Sequence, residues 1–274
     1  ANFGPVQMTL FHIFLVAVLQ GVTEFLPVSS SGHLILLPNL TSLKDQGQVI
    51  DVAVYVGTLV AVILYFRADM RLACSGIPRL LTGRADTPGS RLAFLLLIAT
   101  IPVALAGLVL QLTGLAHMMR NIATVGWAML IFGIVLWWMD QNRGEDKTHT
   151  DWSLKDAVIM GLWQAMALVP GTSRSGITIT GARFLGYTRS DAARLAMLMS
   201  VPTIVASGTL LGVDTIHTAD AGLLRDAAIA ALLSCVAALA ALTLMMRLLK
   251  SVSFTPYVIY RVCLGIGLLW IAYS

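Results

Sequence analysis

Leu19-Gln20-Gly21-Val22-Thr23-Glu24-Phe25-Leu26-Pro27-Val28-Ser29-Ser30-Ser31-Gly32-His33 is the stretch from which the rest of the chain is read. An apolar run beginning near Thr9 carries Gln20 and Glu24, then stops at a proline, three serines, a glycine and a histidine. Gln20 and Glu24 lie four apart, so on a helix they share a face, one turn from each other. A carboxylate inside a membrane segment is costly and marks a functional site by default. The second half has a counterpart: Trp163-Gln164-Ala165-Met166-Ala167-Leu168-Val169-Pro170-Gly171-Thr172-Ser173-Arg174-Ser175-Gly176. Again an apolar segment with a glutamine breaks at a proline, runs into hydroxyls and ends at a glycine, and here the charge is an arginine.

The composition explains why these breaks matter. Of 274 residues, 57% are hydrophobic and only 12% are charged, and the mean hydropathy is +0.82. Long apolar runs between short charged loops read as a polytopic, all-α membrane protein. The first run has no basic flank and holds Glu24, which argues against a signal peptide. The net charge of +4 lies mostly in loops and speaks for orientation in a bilayer, not for a nucleic-acid partner. Cys74, Cys235 and Cys263 are scattered and odd in number, so they offer neither a disulfide framework nor a metal cluster.

Six runs read as full spans: about 49–66, 92–112, 122–139, 192–213, 227–249 and 256–273. The segments around Pro27 and Pro170 are too short on each side to cross twice. A helix of about 15–17 residues covers roughly 25 Å, against a hydrocarbon core of roughly 30 Å. Each is expected to be a re-entrant hairpin, a helix in and a shorter helix out. Such broken backbone survives in a membrane only where protein buries it or it lines a wet cavity.

Loop charges orient the spans. One side receives Arg67, Arg71, Arg79, Arg84, Arg91, Arg143, Lys147, Lys155, Arg183, Arg189, Arg194, Arg247 and Lys250, and the other receives Lys44, Arg120 and Arg225. The positive-inside rule makes the first side cytoplasmic. The two halves then have opposite topology. Gly57-Thr58-Leu59 with Val62 also recurs as Gly208-Thr209-Leu210 with Val213, each in the first full span after its hairpin. The expected architecture is one membrane domain, 1–274, built of inverted repeats. Repeat one covers about 9–139 with its hairpin at 9–48, and repeat two covers about 154–274 with its hairpin at 154–186. Inverted-repeat membrane proteins place their sites near the midplane, between discontinuous helices.

In this reading a short helix starts just after each tip, following Gly32 and Gly176. Free backbone N–H groups and the dipole make each start an anion site. Arg174 adds a planar fork suited to phosphate. His33 exchanges protons near neutral pH, and Glu24 can bind a divalent cation or accept a proton. Together these parts suit a small, highly charged phosphate group at the membrane.

The stretch from Gln20 to His33 resembles the Glu/Gln-rich motif of the undecaprenyl-pyrophosphate phosphatase family, the integral-membrane type linked to bacitracin resistance. Pro170 to Thr178 resembles that family's second motif, and the likeness covers essentially the whole chain. The resemblance implies a bacterial inner-membrane enzyme that removes the terminal phosphate of undecaprenyl pyrophosphate, so that the lipid carrier of peptidoglycan synthesis is recycled. It carries function onto Glu24, Ser30, His33, Ser173, Arg174 and Thr178. Gln20 stands at the first position of the acidic motif, where some members have Glu, so one carboxylate is missing.

Four catalytic roles are assigned. Arg174 binds phosphate, Glu24 holds Mg²⁺ or Ca²⁺, Ser30 is the nucleophile, and His33 is its base or the leaving-group acid. Water organised by His33 is the rival nucleophile. Gln20, Ser29, Ser31, Ser173, Ser175 and Thr178 are expected to contact substrate. Further implied partners are membrane lipid along apolar grooves and bacitracin, which competes for the substrate; a homodimer stays open. The site is expected to face the periplasmic side.

Blander readings stand beside these. Ser29, Ser31 and Ser175 can bond backbone or a neighbouring helix. Gln20 and Gln164 can tie helices together, and Glu24 and Arg174 can form a purely structural ion pair. The alternative function from another class is a polyprenyl-phosphate flippase using the same midplane site; a binding-only relative is a third. Pure anion binding needs Arg174 and the helix starts but not a hydroxyl beside a histidine.

Overall fold

The computed structural model describes residues 9–30, 32–33, 47–119, 121–142, 144–216 and 221–274, with the side chains of 116–117 and 209–216 also outside the description. Ser31, and most of the expected return limb of the first hairpin, therefore lie outside the described residues. Among those described there are ten helices of 11 residues or more and no strand. They are α1 (Leu10–Phe25), α2 (Gln48–Tyr65), α3 (Arg67–Leu81), α4 (Pro88–Thr113), α5 (Ile122–Asn142), α6 (Leu154–Ala165), α7 (Arg174–Phe184), α8 (Arg189–Ile216), α9 (Ala221–Leu248) and α10 (Thr255–Tyr273).

Five of these, α2, α4, α5, α9 and α10, are long and apolar enough to cross a membrane. The all-helical membrane class expected from composition is thus what the chain forms. Helix α8 has 28 residues; Arg189, Asp191 and Arg194 open it, and Ser200, Thr203 and Ser207 lie along it. Helix α1 has only 16 residues.

The basic stretch after α2, expected as a loop, is largely helical. In α3 the arginines fall on one face, and Asp69, Met70, Ala73 and Gly76 are buried on the other. The period is helical even though the segment is too polar to be read as a span. The expected boundary loop at 140–151 also begins later, since α5 runs on to Asn142 and buries Asp140. His149, which shows no partner pattern in sequence, pairs with Asp191 at 2.7 Å.

Two helix ends illustrate how local sequence sets the elements. Thr87 caps α4, accepting from the Ser90 N–H in a reciprocal capping box, with Pro88 in the first turn, where its missing N–H costs nothing. At the other end Gly114 takes a left-handed conformation, φ 70°, the usual helix stop.

Helix α9 is the common wall of the first half, with α1 and α2 packed on it. Gly57 of α2 and Gly21 of α1 make this possible. A Cβ on Gly57 would stand 2.2 Å from the Ala231 carbonyl oxygen, and one on Gly21 would stand 2.6 Å from that of Ser234. Without water to drive association, such close backbone approach supplies the packing that holds membrane helices together. In the second half α10 packs on α5, and α4 on α6. The C-terminal end of α1 meets the N-terminal start of α7.

Candidate functional site

Helix α1 ends at Phe25, and the chain turns through Leu26, Pro27 and Val28. Ser29 is left-handed, φ 71°, and its hydroxyl accepts from the Gly32 N–H at 3.3 Å. Helix α6 gives way to a tight turn at Met166–Leu168, and the chain reaches Ser173, also left-handed at φ 70°. The Ser173 hydroxyl accepts from the Gly176 N–H at 3.1 Å. These are the only two non-glycine residues with positive φ among the described residues. Each such residue costs about 1–3 kcal/mol and persists only where its surroundings over-determine it. Helix α7 therefore starts one residue after a strained serine cap, at Arg174, and Ser30, one residue after the other strained serine, is already helical, as are Gly32 and His33. That is earlier than the sequence suggests, and it puts Ser30 and Arg174 at equivalent first positions.

Both converge on Glu24. Its carboxylate is buried, 6% exposed, and accepts from Ser30 Oγ at 2.9 Å and from Gln20 Nε2 at 2.7 Å, both at Oε2. Its other oxygen, Oε1, pairs with Arg174 Nη2. A second bond joins the tips, from Ser175 Oγ to the Leu26 carbonyl at 3.0 Å. Glu24, Ser30, Ser173 and Arg174 line a cavity of about 250 Å³, walled by Val52 and Tyr55 of α2, Val103 of α4, and Thr203 and Ser207 of α8.

The other expected residues fall elsewhere. His33 is not placed against Ser30. Its Nδ1 faces the Ser29 carbonyl at 2.7 Å and its Nε2 faces the Tyr260 hydroxyl at 2.5 Å. The rings of His33 and Tyr260 are stacked, centroids 5.6 Å apart and planes 2° from parallel. Hence the hydroxyl of Ser30 meets a carboxylate where the sequence suggests an imidazole. Thr178 donates to the carbonyl of Arg174 in its own helix, 2.8 Å. Gln164, the counterpart of Gln20, donates to Thr203 at 3.2 Å. The Oε1 atoms of both glutamines are buried without a hydrogen-bond partner among the described residues.

That orphaned Gln20 oxygen bears on a cation. Among the described residues no three His, Cys, Asp or Glu gather into a metal cage. The Glu24 carboxylate and the Ser30 hydroxyl are hard oxygen donors lining the cavity, and the buried Gln20 carbonyl belongs to the side chain that donates to Glu24. That set fits Mg²⁺, which is typically held by one or two carboxylates together with substrate phosphates.

Sequence reasoning leaves out Arg261 and Tyr260, which reach the tips, and a charged cluster at the far end of α7. Arg261 of α10 is fully buried and donates through Nη2 to the carbonyls of Thr172 at 2.8 Å and Gly171 at 3.2 Å. Tyr260 beside it reaches His33. At the base of α7, Arg183 and Arg189 both pair with Asp140, at 3.0 and 2.9 Å, and the Phe254 N–H donates to the same carboxylate at 3.2 Å. Nearby, Tyr187 donates to Asp156 at 2.7 Å. Burial, reinforced by that bond, holds the Tyr187 phenol far above its ordinary pKa. A signal for Arg261 does exist in the sequence, a cation inside an apolar span. Asp140 and Arg183 sit at loop edges, where charge is ordinary.

Residues 13–267 match the family model described as bacitracin resistance protein BacA. The chain is 68% identical over 267 residues to a protein of Jannaschia sp. named undecaprenyl-diphosphatase, covering 97% of this chain and 100% of that one. It is 67% identical to a protein of the same name from Ruegeria pomeroyi, with the same coverage. A more distant one, from Hahella chejuensis, is 43% identical over 96% of this chain and 98% of its own length.

Proposed function

The chain belongs to the bacitracin resistance protein BacA family, and from that premise we propose that it hydrolyses undecaprenyl diphosphate to undecaprenyl phosphate and inorganic phosphate. The observation that carries the reading is the meeting of Ser30, Glu24 and Arg174 at one cavity, from two separate tips. A nucleophile, a base in hydrogen-bond reach of it and a group orienting that base form the arrangement that activates a hydroxyl. Pure transport of a lipid phosphate would need the cation but not the hydroxyl on the carboxylate, and the relatives' names also favour hydrolysis.

In the proposed reaction Ser30 Oγ attacks the terminal phosphorus and its proton passes to Glu24. The new O–P bond replaces the anhydride P–O bond, and undecaprenyl phosphate leaves. Water then cleaves the phosphoserine, releasing phosphate and restoring the hydroxyl. Arg174 neutralises the equatorial oxygens, and its planar fork matches their geometry. The free N–H groups at the starts of the two short helices add to that field. Ser29 and Ser173 serve as caps that fix those helix starts, and Ser175 ties one tip to the other. Mg²⁺ or Ca²⁺ would be held by Glu24 with the Gln20 carbonyl, and would supply charge neutralisation at the diphosphate. The polyprenyl tail lies in an apolar groove of about 530 Å³ between α1, α9 and α10, lined by Val18, Val22, Leu26, Ala241, Leu244 and Tyr257. Bacitracin competes for the same lipid.

The proposed setting is the bacterial inner membrane, with α2, α4, α5, α8, α9 and α10 crossing it. The hairpins 9–48 and 154–186 enter from opposite sides, and the repeats 9–139 and 154–274 are inverted. Support comes from the matched tips: Ser29 and Ser173 share one left-handed geometry and one capping bond, and each follows a buried glutamine at the same interval.

Purified protein in detergent, where transport has no meaning, is expected to release phosphate from a prenyl diphosphate. No release above a control lacking protein would reject the hydrolase reading. Orientation is tested separately, on a background lacking Cys74, Cys235 and Cys263. Arg84→Cys and Asn142→Cys are expected to be shielded from an impermeant thiol reagent in intact cells, and Thr113→Cys to react. Labelling at position 84 from outside would overturn the orientation, since the arginines that set it lie in that segment.

A further inference from the structure

Helix α10 touches both tips through neighbouring residues. We infer that Tyr260, acting through His33, and Arg261 are positioning residues that hold the two tips by backbone carbonyls at or just before their strained serines, so that Ser30 and Arg174 meet on Glu24. The inference rests on the phosphatase reading of the tips.

The chemistry of the first contact is determinate. A carbonyl oxygen only accepts, so the 2.7 Å contact with Ser29 requires the proton on His33 Nδ1. In the neutral ring Nε2 is then an acceptor, and the Tyr260 hydroxyl donates to it at 2.5 Å. Tyr260 thus reinforces the tautomer that the Ser29 carbonyl sets, and fixes the plane of His33 through the stacked rings. With its proton committed to the Ser29 carbonyl, His33 holds Ser29 at φ 71° and presents Ser30 at the helix start.

Arg261 does the same for the second tip. Its guanidinium reaches the carbonyls of Gly171 and Thr172, the two residues before Ser173. Two glycines make the room: a Cβ on Gly176 would stand 2.8 Å from Arg261 Nη1, and one on Gly133 would stand 3.4 Å from Arg261 Cβ. Those carbonyls and, at 3.5 Å, that of Ala128 on α5 are its hydrogen-bond partners among the described residues, with Nε and Nη1 left unpaired and buried. A buried cation spent on backbone carbonyls in this way orients the turn, as outer-shell partners orient metal ligands. Because the two residues are consecutive on one helix, a shift of α10 moves both tips together.

The test combines a structural and a kinetic readout. Nitrogen NMR of histidine-labelled protein in detergent, with His33→Ala to assign the signal, should find the Nδ1–H tautomer in the parent protein and a mixture in Tyr260→Phe, which keeps the stacked ring. In phosphate release from a short-chain prenyl diphosphate, Tyr260→Phe should lower kcat roughly 10-fold or more with KM little changed, the scale for losing an orienting partner. In a His33→Ala background it should cost nothing further. Arg261→Lys, able to donate to the same carbonyls, should keep more kcat than Arg261→Met. An unchanged tautomer in Tyr260→Phe, additive losses with His33→Ala, or full kcat in Arg261→Met would each overturn the inference. If both Arg261 variants aggregate, Tyr260→Phe decides it. Should His33→Ala and Arg174→Ala leave phosphate release intact, the assignment of the reaction to the two tips fails instead, and the tautomer still reports on Tyr260.

Discussion

Glu24→Gln should lower phosphate release at least about 100-fold, the scale for losing a major preorganised electrostatic group. The substitution keeps the shape of a side chain that accepts from Gln20, Ser30 and Arg174, but its –NH2 must face a donor on one side and lose that bond. What it removes is the base for Ser30 and the only carboxylate at the cavity among the described residues. It also leaves Arg174 without its counter-charge, and breaking a buried pair by removing one partner costs about 3–5 kcal/mol. Stability and catalysis must therefore be separated. In Glu24→Gln with Arg174→Gln no buried charge is left unpaired, so thermal stability should recover, while activity should stay lost. If the ion pair were purely structural, the double variant would regain activity along with stability. Measuring melting in detergent beside phosphate release tells the two apart. Normal turnover by a folded Glu24→Gln in excess chelator would remove both the base and the cation from the reaction.

How much of this was legible in the sequence depends on range. The apolar runs, the two breaks and the class of fold follow from composition and from local residue types, because helices long enough to cross a membrane need uninterrupted apolar sequence. The left-handed serines did not. Nothing in Val28-Ser29-Ser30 or Thr172-Ser173-Arg174 demands positive φ, which serine adopts only when its surroundings enforce it. The strain moves each helix start forward, onto Ser30 and Arg174. Helix α3 was hidden for a different reason. Its arginines lower the mean hydropathy to that of a loop, while the buried set Asp69, Met70, Ala73 and Gly76 keeps a helical period.

At the site, residue types were readable and partners were not. Gln20, Glu24, Ser30 and Arg174 stand out as polar groups in apolar sequence, and they do meet. The pairing of Ser30 with Glu24 instead of His33 is a matter of direction. Spacing three apart places Ser30 and His33 near one face, but the side chains leave the backbone differently, and His33 is drawn to Tyr260, 227 residues away in sequence. Long-range partners of that kind carry no local signal. Arg261 is the instructive omission, because an intramembrane cation is a site hypothesis by default.

Ser30→Ala carries the sharpest consequence. If the hydroxyl is the nucleophile, its loss should remove at least about three orders of magnitude of phosphate release, as removal of an essential nucleophile does. The change is small structurally: the Ser29 cap, the Gly32 N–H bond and the Glu24–Arg174 pair do not involve Ser30 Oγ, so folding should persist. Ser29→Ala and Ser173→Ala should be milder, since their hydroxyls cap helices, a contribution of about 1 kcal/mol each. Because Glu24 acts on Ser30, Ser30→Ala combined with Glu24→Gln should be no worse than the poorer single variant, residues that act as a unit being non-additive. Rapid quenching of the parent enzyme with labelled diphosphate should trap an acid-stable phosphoserine at position 30. A folded Ser30→Ala protein keeping more than about a tenth of the parent rate would exclude the serine, since losing an essential nucleophile costs orders of magnitude. The carboxylate of Glu24, already aimed into the cavity beside Arg174, would then have to activate water directly, and no phosphoenzyme would form.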